Sequence, residues 1–423
     1  MTDKIQAIRG MNDFLPHDVD CWQYLEHTAA RVFALYGYRE IRVPVVEKTD
    51  LFARSIGLAT DIVEKEMYSF QDRNGDSLSL RPEGTAGVVR AALEQGMLHN
   101  AVHRLWYTGP MFRHERPQKG RYRQFHQIGL EAFGMAEAEL DAEIIVLTAT
   151  LWKELGIQDV NLQLNSLGTP ESRGQYRDAL VAFYEQHRAS LDEDSLRRLE
   201  TNPMRILDSK DKTVSQLNKE APSILDHLDK ESAEHLDRVQ ELLQSLDVDY
   251  HLNAGLVRGL DYYTRTVFEW TTDQLGAQSA ICGGGRYDGL VETLGGKPTP
   301  AVGFGIGMER LIELMRLQSC CGEPEQPDVY IVQTGMDAAS AAMQLADQLR
   351  GKGFRTLCNV GSTGFKSQLK RADRSGAAMA VILGEDEVRN NSATIKELST
   401  GEQLSVSEDN LVEELRRRLQ DLE

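Results

Sequence analysis

Read as a strand, the segment ending at Phe133 puts Phe125, Gln127, Gly129, Glu131 and Phe133 on one face. His126, Ile128, Leu130 and Ala132 fall on the other, which is mostly core. An amide and a carboxylate either side of a glycine make an odd surface to bury unless a polar ligand lies on it. Taken alone, a solvated face of a half-exposed sheet is the simpler reading. Between His103 and Arg123 stand Arg104, Arg113, Arg116, Lys119, Arg121 and Arg123 against Glu115 alone, a net of +5 in a chain of −18. That inversion of sign suits a phosphate-rich ligand, with a solvated charge run as the alternative. Arg81-Pro-Glu-Gly-Thr85 offers a carboxylate, a glycine and a hydroxyl, a set that can clamp an ammonium group but is also common in turns. In Leu256-Val-Arg-Gly-Leu-Asp-Tyr-Tyr263 and Cys282-Gly-Gly-Gly-Arg-Tyr-Asp288, glycines let backbone approach a ligand, and tyrosines beside an arginine can frame a small polar aromatic ring. A hairpin turn is the bland alternative. Gly303-Phe-Gly-Ile-Gly-Met-Glu-Arg310 sets an arginine in the first turn of a helix after a strand of alternating glycines, a costly pattern unless something lies flat against the sheet.

These residues need elements to hold them. Pro16 can open a helix in which Trp22, Leu25, Ala29, Val32 and Tyr36 recur at helical spacing, and Gly37 can end it. Tyr38 to Glu47 then reads as a strand kinked at Pro44, near a sheet edge. Residues 101–134 read as two strands joined by a polar loop. Arg258 to Trp270 is strand-rich, and Thr299 to Leu317 is a strand running into a helix. The sum is a mainly antiparallel sheet with helices, an α+β fold. Residues of about 170–250 interrupt it with polar helices; 171–250 hold 18 acids and 11 bases. Ser319 to Asp328 is a linker by composition. Beyond it, Asp328–Gln333, Ala338–Leu349, Phe354–Asn359, Phe365–Arg374 and Ala378–Leu383 alternate strand and helix as a small α/β domain.

The 423 residues, 41% hydrophobic and 26% charged, have an ordinary globular composition divided over two to four domains. The longest apolar run, Ala377 to Leu383, is too short to span a bilayer, and Met1 to Gly10 lacks the apolar core of a secretion signal, so a cytoplasmic protein is expected. The five cysteines, at 21, 282, 320, 321 and 358, form no zinc-site spacing and read as free thiols. The phosphate loop of P-loop ATPases, the dinucleotide fingerprint, the zincin motif and the nucleophile elbow are all missing.

With these motifs in place, the chain resembles the bacterial histidyl-tRNA synthetases, class II aminoacyl-tRNA synthetases, nearly end to end. Arg9 to Pro16 resembles the family's start and Tyr38 to Glu47 its motif 1 at the dimer interface. Phe112-Arg-His-Glu115 through Arg121 to Glu131 resembles motif 2, and Gly303 to Arg310 motif 3. Leu256 to Tyr263 and Gly284-Gly-Arg-Tyr-Asp288 resemble the two histidine-specific signatures. The resemblance implies a class II catalytic domain over 1–325, interrupted by the helical insertion, and an anticodon-binding α/β domain over 326–423. It implies a homodimer that joins L-histidine to ATP and passes the histidyl group to tRNA(His), with Mg2+ accompanying ATP and no fixed protein metal site. Arg113 and Arg258 would hold the α-phosphate, Arg258 also the substrate carboxylate, and Arg310, Arg121 and Glu115 the rest of ATP. Glu83 and Thr85 would hold the amino group and Gln127 the carboxylate. Glu131, Tyr262, Tyr263 and Tyr287 would line the imidazole pocket. Arg116, Lys119, Arg123, Lys366 and Lys370 are candidates for tRNA contact; between Gly351 and Gly376 six bases face one acid. The rival reading is a synthetase-like, histidine-sensing regulatory subunit of ATP phosphoribosyltransferase. Such relatives resemble a synthetase without its C-terminal domain and with eroded ATP-site residues, whereas Arg113, Arg258, Arg310 and residues 328–423 are all present here.

Overall fold

The computed structural model describes residues 4–57, 60–276, 279–361 and 364–421. The chain forms two compact units, Met1–Gly322 and Glu323–Glu423.

In the first unit, helix α1 (Pro16–Leu35) opens on its proline and buries Trp22, Leu25, Ala29 and Val32. Gly37, at φ 78°, ends it, a conformation glycine adopts without a Cβ penalty. The single strand expected over 38–47 is broken into β1 (Arg39–Glu40) and β2 (Val46–Lys48). Pro44 lies in the gap and has no N–H to give a ladder. β2 joins β3 (Ser69–Gln71) and β4 (Ser77–Leu80) in a small sheet flanked by α2 (Thr49–Ile56) and α3 (Thr85–Glu94).

The main sheet holds eight strands in the order β1-β5-β6-β11-β10-β9-β7-β8. Its members are β5 (His103–Phe112), β6 (Gln124–Phe133), β7 (Asn161–Ser166), β8 (His251–Leu252), β9 (Thr264–Thr271), β10 (Ala280–Arg286) and β11 (Ala301–Gly307), with β1 at one edge. The six central strands are antiparallel, and the edge pairs β1·β5 and β7·β8 are parallel. One face is closed by α1, α4 (Ala138–Glu154) and α10 (Met308–Leu317). Leu25, Ile144 and Leu311 there share a core with Ile128, Leu130 and Phe304 of the sheet. The period of two in β6 and β11 therefore sends Gln127, Glu131, Gly303 and Gly305 to the opposite, open face.

Between β7 and β9 the chain makes the insertion α5 (Pro170–Gln186), α6 (Glu193–Thr201), α7 (Lys212–Leu217) and α8 (Lys230–Ser245). Its buried Tyr176, Leu180 and Ile206 share a core with Leu256, Tyr263 and Tyr287 of the sheet region. A short α9 (Leu290–Thr293) leads back to β11. One sequence expectation is corrected here: Cys21 and Cys321 form a disulfide, with Cα atoms 4.7 Å apart. It joins α1 to the end of α10 across 300 residues of chain, a separation that leaves no local pattern to read. Cys282, Cys320 and Cys358 are free thiols.

The second unit runs β12 (Val329–Gln333), α11 (Met336–Gly351), β13 (Thr356–Cys358), α12 (Phe365–Arg374) and β14 (Met379–Leu383), as the alternation predicts. It continues into α13 (Glu385–Arg389), β15 (Ser392–Glu397), β16 (Gln403–Ser407) and α14 (Glu408–Gln420). The sheet order is β13-β12-β14-β15-β16, with β15 and β16 antiparallel. Among the described residues no helix is long and apolar enough to cross a membrane.

Candidate active site

The open face of the main sheet floors a cavity of about 610 Å³. Glycine faces glycine along β10 and β11, Gly283 opposite Gly305 and Gly285 opposite Gly303. A Cβ on Gly303 would overlap the Glu131 carboxylate and the Leu130 carbonyl, and one on Gly283 would overlap the Arg258 guanidinium. Gly303 and Gly283 are thus required by the side chains that lie over them, whereas a Cβ on Gly305 would meet only Gln127 Nε2, at 3.7 Å.

One end of the cavity is built around Glu131, 1% exposed. Thr85 Oγ1 donates to its Oε1 at 2.8 Å, Tyr107 Oη donates to the same oxygen at 3.4 Å, and Tyr287 Oη donates to Oε2. Burial pushes this carboxyl up to about 8; the Tyr287 and Thr85 hydroxyls pull it down, and the nearby Glu83 charge raises it. The ring of Tyr262 lies 4.7 Å from that of Tyr263 and 5.4 Å from that of Tyr287. Glu83 accepts from the backbone N–H of Thr85 at 2.6 Å and of Ala86 at 2.9 Å, capping α3. Burial raises its pKa against those bonds. A small ring with one N–H and one lone pair could find both an acceptor and a donor here.

The other end is cationic. Arg113 Nε donates to the Pro82 carbonyl at 2.9 Å, and its guanidinium stacks 5.2 Å from the Phe125 ring centre. Arg121 Nη1 donates to Glu115 Oε2 at 3.2 Å. Arg310 donates to the carbonyls of Gly120 at 3.2 Å and Ala280 at 2.8 Å; burial first, then the Arg121 charge, lowers its pKa. Arg258 pairs with Glu269 of β9 and lies 5.9 Å from the Tyr263 ring centre. Burial works to lower its pKa, but Tyr263 and Glu269 outweigh it and leave the group more firmly charged. Its Nε is buried with no hydrogen-bond partner, and such an orphan donor marks a place for an acceptor.

Sequence patterns decide the family. The one described as Histidyl-tRNA synthetase matches residues 10–311, and the one described as Anticodon binding domain matches residues 328–418. The chain belongs to the histidyl-tRNA synthetase family. It is 59% identical over 396 residues to a histidine–tRNA ligase of Halorhodospira halophila, covering 93% of each chain. The crystal structure of apo S. aureus histidyl-tRNA synthetase is 36% identical with a TM-score of 0.82, over 97% of this chain and 100% of that one. A Bacillus halodurans structure, titled an ATP phosphoribosyltransferase regulatory subunit/histidyl-tRNA synthetase, shares the fold at 21% identity and a TM-score of 0.67, over 91% of this chain and 99% of that one.

Every residue expected at the amino-acid or ATP site of this histidyl-tRNA synthetase fold lines the one cavity. The candidates for tRNA contact do not. Arg116 and Lys119 are exposed on the β5–β6 loop, where Lys119 pairs with Glu313. Arg123 is half-buried and donates from Nε to the Glu115 carbonyl at 3.3 Å. Lys366 and Lys370 are exposed on α12 of the second unit. Sequence reasoning missed Tyr107, wedged where a Cβ on Gly84 or Gly129 would overlap its ring; those two glycines were the available signal. It also missed Glu269 and Glu309. Glu309 accepts from the His126 backbone N–H at 2.9 Å and lies 3.0 Å from its Nδ1, tying α10 to β6. Arg286 of the second signature points away from the cavity. It is fully buried between Asp141, Asp288 and the Met135 carbonyl, and anchors the strand end from which Tyr287 reaches Glu131.

Proposed function

We propose that this chain, a histidine–tRNA ligase by family, forms histidyl-adenylate in the cavity described above and passes the histidyl group to the 3′ end of tRNA(His). The observation that carries this reading is four arginines, Arg113, Arg121, Arg258 and Arg310, gathered in the same cavity as the buried Glu131 cluster. In the first step a substrate carboxylate oxygen bonds to the α-phosphorus of ATP, and the bond to the bridging oxygen breaks to release pyrophosphate. No protein nucleophile is needed. The obstacle is an anion approaching a polyanion, so positioning and fixed positive charge are the tools.

Arg113 and Arg258 hold the α-phosphate, and Arg258 also the carboxylate. The orphaned Arg258 Nε supports this. Arg310 and Arg121 take the outer phosphates, with Glu115 holding Arg121 in place. Glu83 and Thr85 hold the amino group, and Gln127 holds the carboxylate. Glu131, Tyr262, Tyr263 and Tyr287 read the ring. A site that gives each ring nitrogen a partner rejects an apolar side chain strongly, because its own buried groups would be left unpaired. In the second step the terminal ribose hydroxyl bonds to the activated carbonyl carbon and AMP leaves.

Mg2+ would accompany the outer phosphates and would supply charge neutralisation there. Glu115 and Glu269, hard oxygen donors lining the cavity but each already paired with an arginine, would hold such an ion only in part, leaving most of its ligands to phosphate and water. Residues 1–325 carry the chemistry, and 326–423, with its basic α12, reads the anticodon. The chain acts as a homodimer through the 38–47 stretch, where exposed Val46 supports an interface, and it works in the cytoplasm. The retained arginines and the anticodon-binding unit favour tRNA charging over a regulatory role.

The test is ATP–pyrophosphate exchange with a panel of amino acids, followed by charging of tRNA(His). Exchange driven by histidine alone is expected; exchange driven equally by another amino acid would overturn the assignment.

A further inference from the structure

Arg258 is carried on the loop between β8 and β9, and little of that loop's own backbone holds it. Asn165 Nδ2 fixes its start by donating to the carbonyls of Ala254 at 3.3 Å and Leu256 at 3.0 Å. Farther on, the Asp261 N–H donates to the Ile56 carbonyl at 3.3 Å. The residue after Arg258 is a glycine, which gives the chain more ways to turn there.

Beside the ion pair of Arg258 with Glu269 and the burial of Leu256 and Tyr263, a further restraint comes from the helical insertion, at the turn Pro203–Asp208 that follows α6. Arg205 Nη2 donates to the Gly259 carbonyl at 2.5 Å, and its Nη1 lies 3.8 Å from Asp61 Oδ2. The Arg205 side chain is 17% exposed. Next to it, Asn202 Nδ2 donates to Asp261 Oδ1 at 3.3 Å. Ile206 of the same turn is fully buried in the core that holds Leu256 and Tyr263, and Asp208 lines the cavity. One turn of the insertion thus grips the loop on both sides of Leu260, directly behind Arg258.

We propose that Arg205 is a positioning residue for adenylate formation: from the insertion it clamps the Gly259 carbonyl and so fixes where the Arg258 guanidinium stands. The insertion is then part of the catalytic apparatus as well as a peripheral helical unit. This rests on the reading of Arg258 as the group at the α-phosphate. A guanidinium gives a charge-assisted bond to the carbonyl while keeping a second nitrogen for Asp61, and a loop freed of it lets Arg258 wander over distances that matter to a transferring group.

The experiment is a double-mutant cycle in the full chain, read by single-turnover adenylate formation and pyrophosphate exchange. Arg205→Ala is expected to lower kcat by roughly 10- to 100-fold with the KM for ATP changed less than about threefold. Arg205→Lys should recover part of the rate, since one ammonium can still reach the carbonyl. In an Arg258→Ala background, Arg205→Ala should remove less than about twofold more, because the residue it positions is gone. A merely structural Arg205 would cost the same factor in both backgrounds, and that result overturns the proposal, as does Arg205→Ala at full rate. If Arg205→Ala fails to fold, Asn202→Ala, which releases Asp261 and keeps Arg205, carries the same cycle. Arg258→Ala at full rate would instead overturn the reading of Arg258, and this proposal with it.

Discussion

Glu131 should cost the empty protein stability, and replacing it with glutamine should make the chain firmer as it destroys function. The carboxyl is buried and pushed up to about 8 from an ordinary 4.5. Between those two values the folded chain keeps a proton that the unfolded chain gives up, so its stability falls as pH rises through the window. Each pH unit is worth about 1.4 kcal/mol, so the burden is about 3 kcal/mol at pH 7 and about 5 kcal/mol above pH 8. Glu131→Gln keeps the shape and the acceptor for Tyr287 but has no proton to lose. The variant should match the parent near pH 4.5 and exceed it progressively up to pH 8, while losing most histidine-dependent pyrophosphate exchange. All four tryptophans, at 22, 106, 152 and 270, lie in the first unit, so tryptophan fluorescence during urea unfolding follows the relevant part of the chain. A stability gap that stays constant from pH 5 to pH 8, or a variant weaker than its parent at pH 7.5, would refute the reasoning.

Three further outcomes follow from the geometry. Arg258→Ala should cut adenylate formation to a small residual rate that single-turnover measurement still follows, and Arg258→Lys should restore only part of the loss, because a point charge lacks the planar fork; pre-steady-state adenylate bursts measure both. Reductant should lower the thermal midpoint of the parent's first unit by breaking Cys21–Cys321, a loss of about 2–4 kcal/mol, and should leave Cys21→Ser unmoved. Lys366→Glu together with Lys370→Glu should raise the KM for tRNA and flatten its salt dependence while pyrophosphate exchange stays at the parental rate; a fall in exchange would remove α12 from the tRNA-reading role.

The sequence was most informative where a short period does the placing. Alternation along β6 put Gln127 and Glu131 on one face, and the sheet confirms that face as the open one, because Ile128 and Leu130 are buried under α1 and α4. Regularity failed where tertiary contacts override it. Tyr107 stands in a run of ordinary strand formers, and its place against Glu131 depends on Gly84 and Gly129, which come from two other elements. Glu269 reads as one more polar residue on a strand until the 257–263 loop folds over it. The disulfide depends on α1 and the end of α10 meeting across 300 residues. Ile41, Val43 and Val45 alternate as one strand over Tyr38–Glu47 would require, but Pro44 has no N–H to give and the ladder breaks there into β1 and β2. The Arg205 contact had no signal in the sequence, since it joins an insertion to a loop more than fifty residues away.

The glycine floor of the cavity also restricts how this enzyme can change over generations. Each single-codon change at Gly283 or Gly303 adds at least a Cβ, and both positions put that atom into a side chain on which the site depends. Substitutions at these two positions therefore offer inactivation and little tuning. Heritable variation in substrate choice must instead pass through the walls, on β6 and on the loop that carries Tyr262 and Tyr263. There a neighbour such as Tyr107 or Tyr287 shares the same carboxylate, so one change alters the fitness of the next. A descendant with a new amino acid would be expected to differ at several wall positions at once and to keep the same bare strands beneath them.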